Sequence, residues 1–220
     1  MNSLRSFFDN AKHSSDKWEP YFNIYERHLN ALRDEEINLI EVGVQKGGSL
    51  DMWSNYFPKA KKITGIDIDV ECKNLRYDDD RIDIVIGDQS DPVFWDTFLA
   101  TNPKIDVFID DGGHFMDQQK LTFEKIFPAL SIGGIFICED CHTSYMSHNG
   151  GGFENQNSFI EYAKSYIDVL HWNWKESYNT ELERKWKIGR DLTSIHFYDS
   201  VVVFEKLGKT EMKRVAPINY

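Results

Sequence analysis

Short runs rich in Ile, Val and Phe alternate along the chain with longer segments in which apolar residues recur every three or four positions. Five such runs stand out: INLIEVGV (37–44), KKITGIDI (61–68), RIDIVIGD (81–88), KIDVFIDD (104–111) and GGIFICED (133–140). Strands spaced by helical patterns predict βαβ units and a parallel sheet. In LTFEKIFPAL, Phe123, Ile126, Phe127 and Leu130 fall at i, i+3, i+4 and i+7, one face of a helix packed on that sheet. DPVFWDTFLATNP opens with Asp91 and Pro92 at helix-start positions and stops before Pro103. A further helix is predicted from about Ser158 to Val169. SIHFYDSVVVFEKL predicts two strands joined by a tight turn at Tyr198, Asp199 and Ser200, an antiparallel edge of the sheet. The expected architecture is α/β and Rossmann-like, with a mostly parallel, seven-stranded sheet and an antiparallel C-terminal strand.

The remaining segments read as coverings. Residues 1–36 precede the first strand and are expected to form a helical lid, and HTSYMSHNGGGFENQN (142–157) is polar and Gly-rich, the composition of a long functional loop. The tail from Gly208, with Lys209, Lys213 and Arg214, is expected at the surface. With no internal repeat, 220 residues suit a single domain, 1–220, around one sizeable core. Thirty-six acidic against 25 basic residues, a net charge of -11, repel phosphate backbones and argue against a nucleic-acid partner. The first residues hold no signal-like apolar block, and nowhere do 18 apolar residues run together, so a cytoplasmic protein without membrane insertion is expected. Three cysteines, Cys72, Cys138 and Cys141, fit a reducing compartment. A homo-oligomer is compatible with the sequence but not specified by it.

Each of the first five strands ends in a polar residue or glycine: Gly43, Asp67, Asp88, Asp111, and Glu139 with Asp140. In open parallel sheets ligands bind at the carboxyl ends of the strands. LIEVGVQKGGSL sets Glu41, Gly43, Gly47, Gly48 and Ser49 at a strand-to-helix turn, where glycine permits close approach of backbone to ligand. It departs from G-x-G-x-x-G, because Gln45 stands where the second glycine should be. A pyrophosphate favours an uncluttered helix N-terminus, whereas Glu41 and an acidic rim suit a cationic cofactor. Asp67 lies near the spacing at which an acidic side chain reaches ribose hydroxyls, and Asp88 with Gln89 stands where an adenine edge can be read. Glu41, Gly43, Ser49, Asp67, Asp88, Gln89 and Asp110 are therefore cofactor-binding candidates, and S-adenosylmethionine, a sulfonium nucleoside, is the natural ligand. Other nucleotide binders remain open, since glycine-rich turns after the first strand are common in α/β proteins.

In FIDDGGHFMD, Asp110 and Asp111 close the fourth strand, Gly112 and Gly113 allow a sharp turn, and His114 follows. If the fourth and fifth strands are neighbours, Glu139 and Asp140 lie beside Asp111. Crowded carboxylates raise one another's pKa, and a divalent cation removes that penalty. All-oxygen ligands point to Mg²⁺, Mn²⁺ or Ca²⁺ rather than zinc. A metal also answers an energetic problem: an imidazole of pKa ~6.5 facing an alcohol near ~16 confronts about 12 kcal/mol. His114 is the candidate general base. Helix capping and solvated strand ends are the competing account of these acids. His142 and Tyr145 are further candidates to line the site; His148, His171 and His196 read as surface or packing residues. CEDCH formally matches the C-x-x-C-H haem pattern, but it begins inside a strand, and Cys138 reads more simply as core. Trp172, Trp174 and Trp186 suit sugar stacking, core or an oligomer contact.

From DKWEPYFNIYERH (16–28) through EVGVQKGGSLDMW, GIDID, GDQSDP and IDDGGH to EDCHTSY (139–145), the chain resembles the metal-dependent sugar O-methyltransferases of macrolide biosynthesis, of the macrocin and mycinamicin type, and related rhamnosyl O-methyltransferase and cephalosporin-hydroxylase-like proteins. The resemblance implies a class I methyltransferase fold binding S-adenosylmethionine, Mg²⁺ (or Mn²⁺) held by Asp111, Glu139 and Asp140, and His114 as base. It also implies Asp67 on the ribose, Glu41 and Gly43 in the cofactor turn, and Lys17, with the aromatic segment after it, lying over the cofactor. Two departures stand out. The macrolide enzymes carry an additional N-terminal domain, and the second glycine of DDGGH replaces a serine. The expected function is Mg-dependent O-methylation of a vicinal diol on a sugar, in a polysaccharide, nucleotide-sugar or glycosylated metabolite. Its rivals are a catechol-like phenol O-methyltransferase, a nucleotide-dependent oxidoreductase or hydroxylase-like relative, which the missing glycine fingerprint opposes, and a catalytically silent cofactor-binding scaffold.

Overall fold

A computed structural model describes residues 3–174, 176–177, 179–209 and 214–215. Its strands are β1 (Asn38–Val42), β2 (Lys62–Asp67), β3 (Ile82–Ile86), β4 (Ile105–Asp110), β5 (Leu130–Cys138), β6 (Ser194–Phe197) and β7 (Val202–Lys206). They form one sheet in the order β3-β2-β1-β4-β5-β7-β6. The first five run parallel, while β7 is antiparallel to both β5 and β6. The chain winds outward in one direction from β1 and in the other from β4, so the order reverses between these two strands and opens a crevice at their carboxyl ends.

Side-chain alternation divides the core into two layers. Leu39, Ile63, Val107, Ile135 and Val203 face α1 (Leu4–Asp9), α2 (Glu19–Leu29) and α3 (Gly48–Tyr56). Ile40, Ile66, Phe108, Phe136 and Phe204 face α4 (Pro92–Thr101), α5 (Met116–Ala129), α6 (Phe159–Lys164) and α7 (Ile167–Leu170), with α8 (Thr180–Ile188) packed at the margin. Phe108 and Phe136, register partners on β4 and β5, stack with centroids 5.3 Å apart. The N-terminal segment is part of this packing: Leu4, Tyr21, Phe22, Tyr25 and Leu29 are buried on the first layer.

The helix boundaries follow local chemistry. Asp91 caps α4 by accepting from the Val93 amide, and Pro92 occupies the first turn, where no donor is lost. At the other end of α5, buried Lys206 of β7 donates to the carbonyl oxygens of Pro128 and Leu130 at 2.9 and 2.8 Å, meeting acceptors that a helix end leaves open.

Three expectations need correction. Strand β5 begins at Leu130 rather than Gly133, because Leu130 pairs with Ile105 and a register shift carries the strand through the glycines. The helix expected over 158–169 is broken into α6 and α7. The Ser165 hydroxyl donates to the Tyr162 carbonyl, and the Tyr166 amide turns to Ala163 instead. The polar stretch after β5 is not an open loop throughout: it forms 3₁₀ turns over Cys141–Tyr145 and Ser147–Asn149, with Thr143, Ser144 and Asn149 buried. The Ser144 hydroxyl accepts from the Ile160 amide at 3.2 Å, so its polar residues serve as local caps. In the tail, Lys209 and Arg214 are exposed, and Lys213 lies outside the described residues. Among the described residues no helix is long and apolar enough to cross a membrane.

Candidate active site

A cavity of about 650 Å³ opens at the carboxyl ends of the strands, within the size range of small-molecule sites. Lys17, Gly43, Asp67, Asp88, Gln89, Asp111, His114, Glu139 and Asp140 line it. Glu41, Ser49 and Asp110 are buried behind the wall. The sequence therefore marks two layers, one facing the cavity and one supporting it.

On the β1–β3 side, Asp67 Oδ2 accepts from the amides of Val44 and Gln45 at 2.8 and 2.9 Å, which fixes the turn after β1. Gly43 has φ 96°, and a Cβ there would overlap the Asp111 carbonyl oxygen, so the tips of β1 and β4 touch only because this residue is glycine. Asp88 accepts from the Ser90 amide and hydroxyl at 2.8 and 2.7 Å. Gln89 links the next two strand tips: its Nε2 donates to Asp110 Oδ1 at 2.6 Å, and its Oε1 accepts from the Gly113 amide at 3.0 Å. Burial pushes the Asp110 carboxyl up to about 7. Asp110 thus holds Gln89 in place from behind.

On the β4–β5 side, the Lys17 ammonium, its side chain only 2% exposed, sits among three carboxylates. It donates to Asp111 Oδ2 at 2.5 Å, Glu139 Oε2 at 2.9 Å and Glu41 Oε1 at 3.3 Å. Burial opposes its charge, but Asp111 and Glu139 outweigh burial and hold its pKa well above the ordinary lysine value. Burial raises the carboxyls of Glu139, Asp111 and Glu41, against the opposing pull of Lys17. The Tyr25 hydroxyl donates to Glu139 Oε1 at 2.5 Å, and the Ser49 hydroxyl and Trp53 Nε1 donate to Glu41 Oε2 at 2.6 and 3.2 Å. Lys17 thus lines the cavity with its ammonium sunk among the strand-tip carboxylates. Trp18, 60% exposed, stands at the mouth.

His114 follows the β4 tip in a left-handed conformation, φ 58°, and its carbonyl accepts from Asn149 Nδ2 at 3.3 Å. Its Nε2 lies 3.4 Å from Asp140 Oδ2 and 3.9 Å from Asp111 Oδ1. The acids therefore form two overlapping groups that share Asp111. One is Asp111, His114 and Asp140; the other is Glu41, Asp111 and Glu139. Glu139 and Asp140 are consecutive, and Asp140 is left-handed at φ 51°, so their carboxylates take different partners. Each of the other two expected ligands comes near Asp111, but the three do not converge as one group: Glu139 is drawn toward Lys17 and Tyr25, and Asp140 toward His114 and Tyr21.

Further contributors come from α2 and the β6–β7 turn. The Tyr21 hydroxyl donates to Asp140 Oδ1 at 2.7 Å and lies 2.8 Å from Ser200 Oγ, which is 2.6 Å from His142 Nδ1. The four-residue spacing of Tyr21 and Tyr25 is a legible signal of one helical face; Ser200, in a turn far along the chain, gives none. His142 lines the cavity, but Tyr145 is 55% exposed and turns away on its 3₁₀ turn. Trp172 and Trp186 stack on each other, centroids 4.8 Å apart, with Trp186 against the second core layer and neither lining the cavity.

Among the described residues, three carboxylates, Glu41, Asp111 and Glu139, meet one ammonium here, and a fourth, Asp140, lies beside His114. The uncompensated charge and the oxygen donors fit a hard divalent cation. Strand order, acidic crevice and glycine turn define a Rossmann-like methyltransferase fold.

No family model matches the chain. It is 31% identical over 206 residues to the 8-demethyl-8-alpha-L-rhamnosyl tetracenomycin-C 2'-O-methyltransferase of Streptomyces olivaceus, covering 89% of this chain and 53% of the relative. It is 32% identical over 210 residues to the 8-demethyl-8-(2-methoxy-alpha-L-rhamnosyl)-tetracenomycin-C 3'-O-methyltransferase of the same organism, covering 89% and 52%. Among solved structures, the MycE methyltransferase from the mycinamycin biosynthetic pathway, in complex with Mg and SAH, matches with a TM-score of 0.82 and 27% identity over 94% of this chain and 55% of that one. The chain is similar to these sugar O-methyltransferases over most of its own length, and it spans about half the length of the curated relatives it matches.

Proposed function

We propose that this chain catalyses transfer of a methyl group from S-adenosylmethionine to one hydroxyl of a vicinal diol on a sugar, in a glycosylated metabolite, with Mg²⁺ at the acidic strand tips. The observation that carries this reading is His114 Nε2 at 3.4 Å from Asp140 and 3.9 Å from Asp111, on the wall of a cavity that also holds Gly43 and Asp67. The two tetracenomycin relatives are named for the adjacent 2' and 3' oxygens of a rhamnosyl group, the second for a sugar whose 2 position already carries a methoxy group.

In this reading Asp67 accepts from the ribose hydroxyls, Asp88 and Gln89 meet the adenine edge, and Gly43 lets the backbone approach. Asp110 and Ser49 act from behind, through Gln89 and Glu41. Asp111, Glu139 and Asp140 would hold Mg²⁺, which when bound acidifies and orients the acceptor oxygens. Tyr21 and Tyr25 orient Asp140 and Glu139 through their hydroxyls. His114 Nε2 takes the proton of the reacting hydroxyl, and its position on a turn braced by Gln89 and Asn149 keeps that nitrogen aimed at the cavity. The segment before β1 contributes one wall of the site, since Lys17, Trp18 and Tyr21 all line the cavity.

The test is transfer of labelled methyl from S-adenosylmethionine to rhamnosides and other deoxysugar glycosides, with Mg²⁺ or with a chelator. Transfer is expected to glycosides with a free vicinal diol and to be lost on chelation. Faster transfer to catechols, or transfer indifferent to chelation, would contradict the proposal.

A further inference from the structure

Away from the cavity, His28 lies in the last turn of α2, His196 on β6 and Glu205 on β7, and one ligand atom from each lies within 4.8 Å of the other two. The fold itself converges them. Glu205 pairs with Ser194 across the β6–β7 ladder, and His196, two residues along, projects from the same face. The α2 helix then lays His28 over that face. His28 Nδ1 is 2.8 Å from Glu205 Oε1, and His196 Nε2 is 3.3 Å from Glu205 Oε2. A tetrahedral ion about 2.0–2.1 Å from its nitrogen and oxygen ligands spaces them about 3.3 Å apart, so the three ligand atoms, all within 4.8 Å of one another, are near the spacing an ion between them requires.

The surroundings suit a cation as well. The second nitrogen of His28, Nε2, lies 2.8 Å from the Tyr198 hydroxyl, the kind of partner that orients a metal-bound imidazole. Burial pushes the His28 imidazole below its ordinary value, which favours the neutral, ligating form. The His28 side chain is 3% exposed and that of His196 37%, so the cluster is closed beneath α2 and open to solvent along β6. The Ser194 hydroxyl donates to Glu205 Oε2 and so orients the carboxylate, leaving a fourth position for water. Two imidazoles with a carboxylate select zinc or another late first-row dication over magnesium.

We propose that His28, His196 and Glu205 form a zinc-type cation site that clamps the end of α2 to the β6–β7 hairpin. The same hairpin carries Ser200 to Tyr21 and His142, so the clamp braces one wall of the cavity from outside. This site does not depend on the methyl-transfer reading.

The test is calorimetric titration of the full chain with Zn²⁺ in saturating Mg²⁺, comparing the unmodified protein, Asp140→Asn and His196→Gln. The unmodified protein and Asp140→Asn are expected to take up a Zn²⁺ that His196→Gln binds at least about tenfold more weakly, since losing a ligand costs no less than losing a residue that orients one. Co²⁺ in place of zinc is expected to show four-coordinate visible absorption that His196→Gln and Glu205→Gln both lack. No uptake by the unmodified protein, equal uptake by His196→Gln, or loss in Asp140→Asn alone would each overturn the proposal.

Discussion

Replacing His114 by asparagine is expected to lower methyl transfer by about 10²–10⁴-fold, the range that general-base catalysis supplies, with affinity for S-adenosylmethionine nearly unchanged. Asparagine suits the test because it tolerates the left-handed backbone found here, φ 58°, so the turn survives while the imidazole is removed. The kinetic signature separates the possible roles. A base acts on the acceptor proton, so turnover falls while cofactor binding, measured by calorimetry, stays; loss of both would make His114 a structural residue. His114 Nε2 is nearer Asp140 than Asp111, and Asp140 is held in turn by Tyr21. Chemistry and support thus come from different parts of the chain.

Replacing Lys17 by methionine is expected to destabilise the metal-free protein by about 3–5 kcal/mol, the loss typical when one partner of a buried ionic group is removed. Glu41, Asp111 and Glu139 would then share a desolvated space with no positive charge among them. The effect outweighs that of an exposed ion pair, where ~1 kcal/mol is already large. Denaturant unfolding in a chelator measures it. Mg²⁺ is expected to recover part of the loss and to stabilise the variant more than the parent, because the dication takes over compensation that the ammonium gave. A loss under about 1 kcal/mol would show that these carboxylates do not depend on Lys17.

Much of this architecture is legible in the sequence because each strand is apolar and ends in a residue that cannot belong to a core. Phe108 to His114 is the clearest case: an apolar strand, two aspartates, two glycines and a histidine dictate a strand tip with chemistry on it. Asp67 and Gly43 were legible for the same reason. What was hidden depends on long-range contact. Nothing local in DKWEPYF says that the Lys17 ammonium will be buried, because that burial is bought by carboxylates from β1, β4 and β5 together. Ser200 reads as an ordinary turn serine until β7 pairs with β5 and brings it to Tyr21. The break between α6 and α7 escapes a reading by apolar spacing because it turns on one serine hydroxyl taking a carbonyl. Glu139 and Asp140 look equivalent on paper, yet the left-handed turn at Asp140 sends them to different partners.

In the proposed function the tips of β4 and β5 hold a hard divalent ion within reach of His114. Crystals grown with S-adenosylhomocysteine and Mn²⁺ test it directly through the anomalous signal of the ion. One peak is expected, coordinated by carboxylate oxygens of Asp111, Glu139 and Asp140, with His114 facing the same space. A peak elsewhere, or none while Lys17 still bridges Asp111 and Glu139, would contradict it.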